Sequence, residues 1–290
     1  MSKLVIMTDS CIALSQDAID KYEIPVLSLS YLVDGVETQG YVKGRPFDYA
    51  DFYGKLRGKA TASTSQATPA KAEEFCRPIL EAGHDILYIG LSSGLSGTFF
   101  AVKQALENLA DEFPSQQLKC VDTLAATLGG GLSVAKACEL REDGKSIEEI
   151  ADWLETNKQR VHHYFTVDDL FHLKRGGRLS AIKALMGSAL NVKPLLHVNP
   201  EGKLEAIGKA KGRKKSLEAI AEYASLADLS LYGKAYIVHG DALEDAEATK
   251  AFVKEKNPDL EIEIHPLDPV IGTHSGPGTI AFLFFANKNR

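Results

Sequence analysis

Cysteine, methionine and tryptophan are scarce, at 4, 3 and 1 among 290 residues. The cysteines, Cys11, Cys76, Cys120 and Cys138, match neither a zinc-ligand spacing nor a CxxC redox pair, and read as core thiols. A basic excess is also missing: 33 Lys and Arg face 39 Asp and Glu, and a net charge of −6 gives the whole molecule no attraction for nucleic acid or anionic lipid. No long hydrophobic run occurs. Ile280 to Ala286 falls far short of the roughly 20 apolar residues of a bilayer span, so no stable membrane insertion is expected. The opening MSKLVIMTDS reaches Asp9 too early for a signal-peptide core, so the expected location is cytoplasmic. Histidines show no HExxH-like spacing, and neither GxxxxGKS/T nor GxGxxG occurs. Metal ligation, a cofactor and those two nucleotide loops are therefore not expected.

What is present is a globular composition, 44% hydrophobic and 25% charged, in a chain long enough for one large or two ordinary domains. The first half alternates short apolar runs with amphipathic segments, the pattern of a parallel sheet covered by helices. Leu4 to Thr8, Val26 to Val33, Ile86 to Leu91 and Leu118 to Val121 read as extended. Ser15 caps a short helix, Thr68 and Pro69 open another, and Ser146 with Glu149 forms a capping box. From about Val161 strand candidates dominate, and Asn199 to Gly202 reads as a hairpin turn. The expected fold is α/β with two domains: residues 1–160 a parallel sheet flanked by helices, residues 161–290 a mixed sheet with helices. The seam between them is the place to look for a ligand.

Three loops concentrate polar chemistry. Ser92 to Thr98, SSGLSGT, lies between a strand and a helix, where backbone N–H groups, Ser93 and Ser96 can face an anion, and Gly94 and Gly97 allow close approach. Ser63 to Gln66 gathers hydroxyls, including Thr64 and Ser65, before the Thr68 helix. His274 to Thr279, HSGPGT, reads as a rigid irregular loop that aims a histidine. Further on, LKRGGRLS places Arg175 and Arg178 around two glycines, either as a helix end or as an exposed arginine hook. Lys209 to Lys215 reads as a solvated strand end. Leu179, Ile182, Leu185, Met186, Ala189 and Leu190 form a stripe that is core or tunnel wall. Two competing readings exist. Gly90 to Gly94 fits GxSxG, with Ser92, Asp268 and His274 in hydrolase order, although too few strands precede it and no oxyanion segment is visible. A basic-patch interaction protein is the other.

TDS at Thr8, TSQ at Thr64, SSGLSGT at Ser92, GGR at Gly176 and HSGPG at His274, in this order over the full length, resemble the DegV family. The resemblance implies a two-domain α/β protein, not itself an enzyme, that binds a long-chain fatty acid and presents it to a fatty acid kinase for acyl-phosphate formation in bacterial phospholipid synthesis. It places the carboxylate on Thr64, Ser96 and His274, with Ser65, Ser93 and Gly97 supporting, and kinase docking on Arg178 with Arg175 beside it. Two positions depart from the family pattern: Ala67 where proline often follows TSQ, and Lys211 where arginine is frequent. The physics fits this division. Burying about fourteen methylenes at about 0.8 kcal/mol each supplies on the order of 11 kcal/mol, so the tail dominates affinity, while uncharged donors fix the head.

Overall fold

The computed structural model describes residues 3–178 and 191–290. In chain order the strands are β1 (Leu4–Asp9), β2 (Val26–Leu27), β3 (Ser30–Val33), β4 (Val36–Gln39), β5 (Ala62–Ser65), β6 (Asp85–Gly90), β7 (Leu118–Asp122), β8 (Val161–Thr166), β9 (Val192–Val198), β10 (Leu204–Lys211), β11 (Lys234–His239), β12 (Glu261–Pro266) and β13 (Ile280–Phe285). The helices are α1 (Gln16–Tyr22), α2 (Tyr49–Arg57), α3 (Pro69–Glu81), α4 (Thr98–Ala110), α5 (Thr127–Glu142), α6 (Ile147–Asn157), α7 (Phe171–Arg175), α8 (Arg213–Ala221), α9 (Leu243–Lys256) and α10 (Pro269–Ser275). Local chemistry sets several bounds. Ser15 caps α1, Thr68 caps α3 ahead of Pro69, and Ser146 and Glu149 satisfy each other's backbone at the start of α6.

Four parallel strands in the order β2-β1-β6-β7 make one sheet. Six strands in the order β10-β9-β8-β13-β11-β12 make the second, in which β11 and β12 run parallel and the other pairs antiparallel. In the first sheet the chain passes from β1 to β2 on one side and returns as β6 on the other. The crevice beyond the carboxyl ends of β1 and β6 is thus a topological switch point, where open α/β sheets bind ligands.

The extended segment expected from Val26 to Val33 is two strands in different sheets. β2 stays beside β1, whereas β3 pairs with β4 and β5 in a small antiparallel sheet of order β4-β3-β5. Hydrogen bonds hold the break: Leu29 N–H donates to Ser10 Oγ at 3.0 Å, and Gly40 N–H donates to Leu29 O at 2.7 Å. The expected stripe from Leu179 to Leu190 lies outside the described residues.

Helix α5 sits between the two large sheets, packed on β1 and β6 of one and on β8, β11 and β13 of the other. It is buried from Thr127 to Val134, and its glycine triplet permits that closeness. A Cβ on Gly129 would stand 2.0 Å from His163 Nε2, and one on Gly130 would stand 2.3 Å from Ile12 Cδ1. Leu128 and Leu132 join Phe165, Val238 and Leu283 in the apolar cluster between the sheets. Helix α10 crosses back to pack on α2, β3 and β5, which brings C-terminal residues to the small sheet.

Candidate functional site

At the switch point, between α5, β5 and α10, lies a cavity of about 220 Å³. One water needs roughly 10–15 Å³, so this is far more than a packing defect. Its walls are mainly apolar: Leu29, Leu91 and Ala126 on one side, Phe165, Val198, Val238 and Leu283 on the other, with Leu267, Val270 and Ile271 leading into α10. Polar groups interrupt this lining at Thr64, Ser65, Gln66, Ser96, Arg178, His274 and Ser275.

Alternation along β5 makes Ala62 and Thr64 half-buried and leaves Ser63 and Ser65 exposed. Thr64 Oγ1 shares a hydrogen bond of 2.8 Å with His274 Nε2. His274 is not on an irregular loop as expected; it occupies the last turn of α10. Asp268 caps that helix by accepting from Ile271 N–H at 2.9 Å, Pro269 opens it, and Gly276 at φ +81 ends it. Gly176 backs the imidazole so closely that a Cβ there would lie 2.1 Å from His274 Nδ1. Burial, with the nearby Arg178 and Arg175 charges, pushes the His274 pKa down to about 4, so the ring is neutral at pH 7. His274 Nδ1 and the buried Ser275 Oγ have no hydrogen-bond partner among the described residues.

The loop carrying Ser96 is anchored from β1. Asp9 accepts from Leu91 N–H at 2.9 Å, Tyr88 O–H at 2.8 Å and Cys11 N–H at 3.0 Å. Its burial nevertheless raises its pKa above the usual carboxylate value. Helix α4 starts after Gly97 with no side-chain cap. Ser96 Oγ lies 3.0 Å from Thr98 Oγ1, which accepts from Ala67 N–H at 3.3 Å. These bonds tie the Ser96 loop to the turn after β5. Ser93 and Gly97 stand behind the wall: Ser93 N–H donates to Asp122 Oδ1 at 3.2 Å, and a Cβ on Gly97 would meet Gln66 Oε1 at 2.5 Å.

Ser92, Asp268 and His274 form no triad. The fully buried Ser92 hydroxyl donates to Gly202 O at 2.8 Å and accepts from Gly94 N–H at 3.1 Å. Asp268 Oδ1 caps α10 and its Oδ2 has no partner among the described residues, while His274 Nε2 is engaged by Thr64. A hydrolase needs these three in one relay, so that reading fails on geometry.

Of the two readings of this segment the structure shows the helix end, with α7 stopping at Gly176, and Arg178 is not an exposed hook. It is half-buried and lines the cavity, with Nε donating to Leu95 O at 3.1 Å and Nη1 to Gly176 O at 2.5 Å. The polar rim therefore contains a cation, which corrects the expectation of uncharged donors alone. Gly177 at φ +73 turns the chain there, a conformation that glycine reaches without strain. Arg175 remains exposed, its guanidinium 5.6 Å from the centre of the Phe171 ring and its Nη1 donating to Ala60 O at 3.2 Å. Gln66 and Ser275, also on the rim, had no separate signal in the sequence beyond lying inside the TSQ and HSGPG motifs. Among the described residues no group of three or more His, Cys, Asp or Glu could hold a metal ion. No helix among them is long and apolar enough to cross a membrane.

A family model described as an uncharacterised protein of the DegV family matches residues 3–287. A DegV domain-containing protein from Clostridium perfringens is 41% identical over 288 residues, covering 99% of each chain. Among solved structures, a DegV family protein from Thermus thermophilus, described for its fatty acid binding, superposes with a TM-score of 0.83 at 31% identity, covering 98% of this chain and 99% of its own. DegV from Bacillus subtilis, described as a fatty acid binding protein, gives a TM-score of 0.82 at 28% identity over 99% and 100% of the two chains.

Proposed function

This chain belongs to the DegV family, and from that premise and the cavity we propose that it binds a long-chain fatty acid and presents the carboxylate to a fatty acid kinase. The observation that carries the reading is the hydrogen-bonded Thr64–His274 pair, with Ser96 and Ser275, at the rim of a mainly apolar cavity. A chain with one polar end suits such a space. In this reading residues 1–160 and 161–290 act as two domains that close on the tail, in the cytoplasm, and the protein itself performs no chemistry.

Thr64, Ser96 and His274 hold the carboxylate, Ser65 borders it, and Ser93 and Gly97 shape the loop behind it. Arg178 supplies charge from the side. Because its Nε and Nη1 already donate to Leu95 O and Gly176 O, it does not clamp both oxygens of the ligand. One carboxylate oxygen stays free to attack the terminal phosphorus of ATP on the kinase, which forms the acyl-phosphate and releases ADP. The exposed Arg175, with Arg178 behind it, is the docking point for that partner.

Mass spectrometry of lipid extracted from the purified protein tests the binding half; about one fatty acid per chain is expected. A preparation that carries none and takes none up would overturn it. For the presenting half, Arg175→Ala is expected to retain the acid and slow ATP-dependent acyl-phosphate formation by an added kinase. Unchanged turnover would remove the docking role.

A further inference from the structure

The rim does not account for every polar group on the cavity wall. Thr127, the first residue of α5, lines the cavity and is 4% exposed, yet its Oγ1 has no hydrogen-bond partner among the described residues. It sits at the start of a helix of 16 residues whose N-cap residue, Ala126, provides no side-chain cap. The Ala126 N–H donates to His163 Nε2 at 3.2 Å, so the preceding amide is satisfied while the threonine hydroxyl is not. A buried hydroxyl left unmet is costly, and a helix start carries partial positive charge that favours an acceptor oxygen. Both features stand on a wall that Ala126, His163, Phe165 and Leu283 also line. The backbone holds Thr127 at φ +46, so the side chain is placed by the fold rather than by its own preference.

Resting on the fatty-acid reading, we propose that Thr127 and the start of α5 form a second polar subsite, which takes a hydroxyl carried along the acyl chain. The preferred ligand is then a long-chain hydroxy fatty acid. A secondary hydroxyl meets both features at once, accepting from a backbone N–H of the helix start and donating to Thr127 Oγ1. Rotation about χ1 exchanges the methyl and hydroxyl of a threonine on the wall, so the contact needs no backbone movement. A plain methylene chain at this level leaves both groups unmet.

The test is displacement of a fluorescent acyl probe by octadecanoic acid, cis-octadecenoic acid and the positional isomers of hydroxyoctadecanoic acid, on the wild type, Thr127→Val and Thr127→Ser. Valine keeps the shape and β-branching, and serine restores the hydroxyl. One isomer or two adjacent isomers are expected to bind about fivefold or more tightly than octadecanoic acid to the wild type and Thr127→Ser, with the advantage lost in Thr127→Val. The proposal is overturned if no isomer surpasses both unsubstituted acids, as a water trapped at Thr127 would produce, or if the preference survives in Thr127→Val. Failure of every acid to displace the probe would instead bring down the fatty-acid reading, and this subsite with it.

Discussion

At pH 7 His274 carries a proton in about one molecule in a thousand, because burial and the Arg178 and Arg175 charges hold its pKa at about 4. Charging it there costs about 4 kcal/mol, from three pH units at about 1.36 kcal/mol each. A hydrogen bond to a charged group returns only about 1.5–3 kcal/mol, so a carboxylate arriving beside His274 does not recruit the proton. On the proposed reading the complex is expected to form with a neutral imidazole, an ionised ligand and Arg178 as the nearby cation. Calorimetric titration with octadecanoate at pH 7, in buffers of contrasting ionisation enthalpy, reads this directly. Proton uptake is expected to stay below about 0.2 per ligand, and affinity to change little between about pH 6 and 8. Uptake close to one proton, abolished by His274→Ala, would refute the neutral-donor mechanism and make an imidazolium the true partner of the head group.

Two further outcomes follow from the same geometry. In Gly176→Ala the new methyl meets His274 Nδ1, so the ring must move from Thr64, and fatty acid affinity is expected to fall about tenfold or more with far-UV circular dichroism unchanged. Asp268 is buried, its Oδ2 has no partner among the described residues, and desolvation lifts its pKa to about 7 from an unfolded value of 3.8. A raised carboxyl pKa favours folding below 3.8 and penalises it progressively as pH rises to 7, by up to about 4 kcal/mol. Asp268→Asn keeps the Oδ1 cap, so denaturant unfolding is expected to show it more stable than the wild type at about pH 8, with a smaller gap at about pH 5.

The sequence spoke clearly where one side chain decides one element. Ser15, Thr68 with Pro69, and the Ser146–Glu149 box mark helix starts because each satisfies local backbone donors. It spoke poorly where tertiary contacts decide. Ser28 and Leu29 divide one apolar-looking segment into β2 and β3 because Ser10 and Gly40 bind Leu29 from distant positions. The small sheet escapes periodicity because VETQ and ASTS bury little on either face. At the site, Thr64, Ser96 and His274 could be marked by hydroxyls and histidine near helix starts, and all three line one cavity. Placing His274 on a helix was also within reach, since Asp268-Pro269 repeats the Thr68-Pro69 signal, but the glycines that follow masked it. The inward course of Arg178 depends on the carbonyls of Leu95 and Gly176, which no local pattern reveals.

Strand β13, the most C-terminal, does not flank the six-stranded sheet; it fills the gap between β8 and β11 and is buried along its whole length. The helix carrying His274 immediately precedes it. Synthesis proceeds from the N-terminus, so the keystone of this sheet and the histidine of the rim leave the ribosome after every other described strand. Until then β8 and β11 have exposed flanks and the cavity lacks a wall. A chain stopped before β13 therefore keeps two open strand edges, which are prone to pair with other chains.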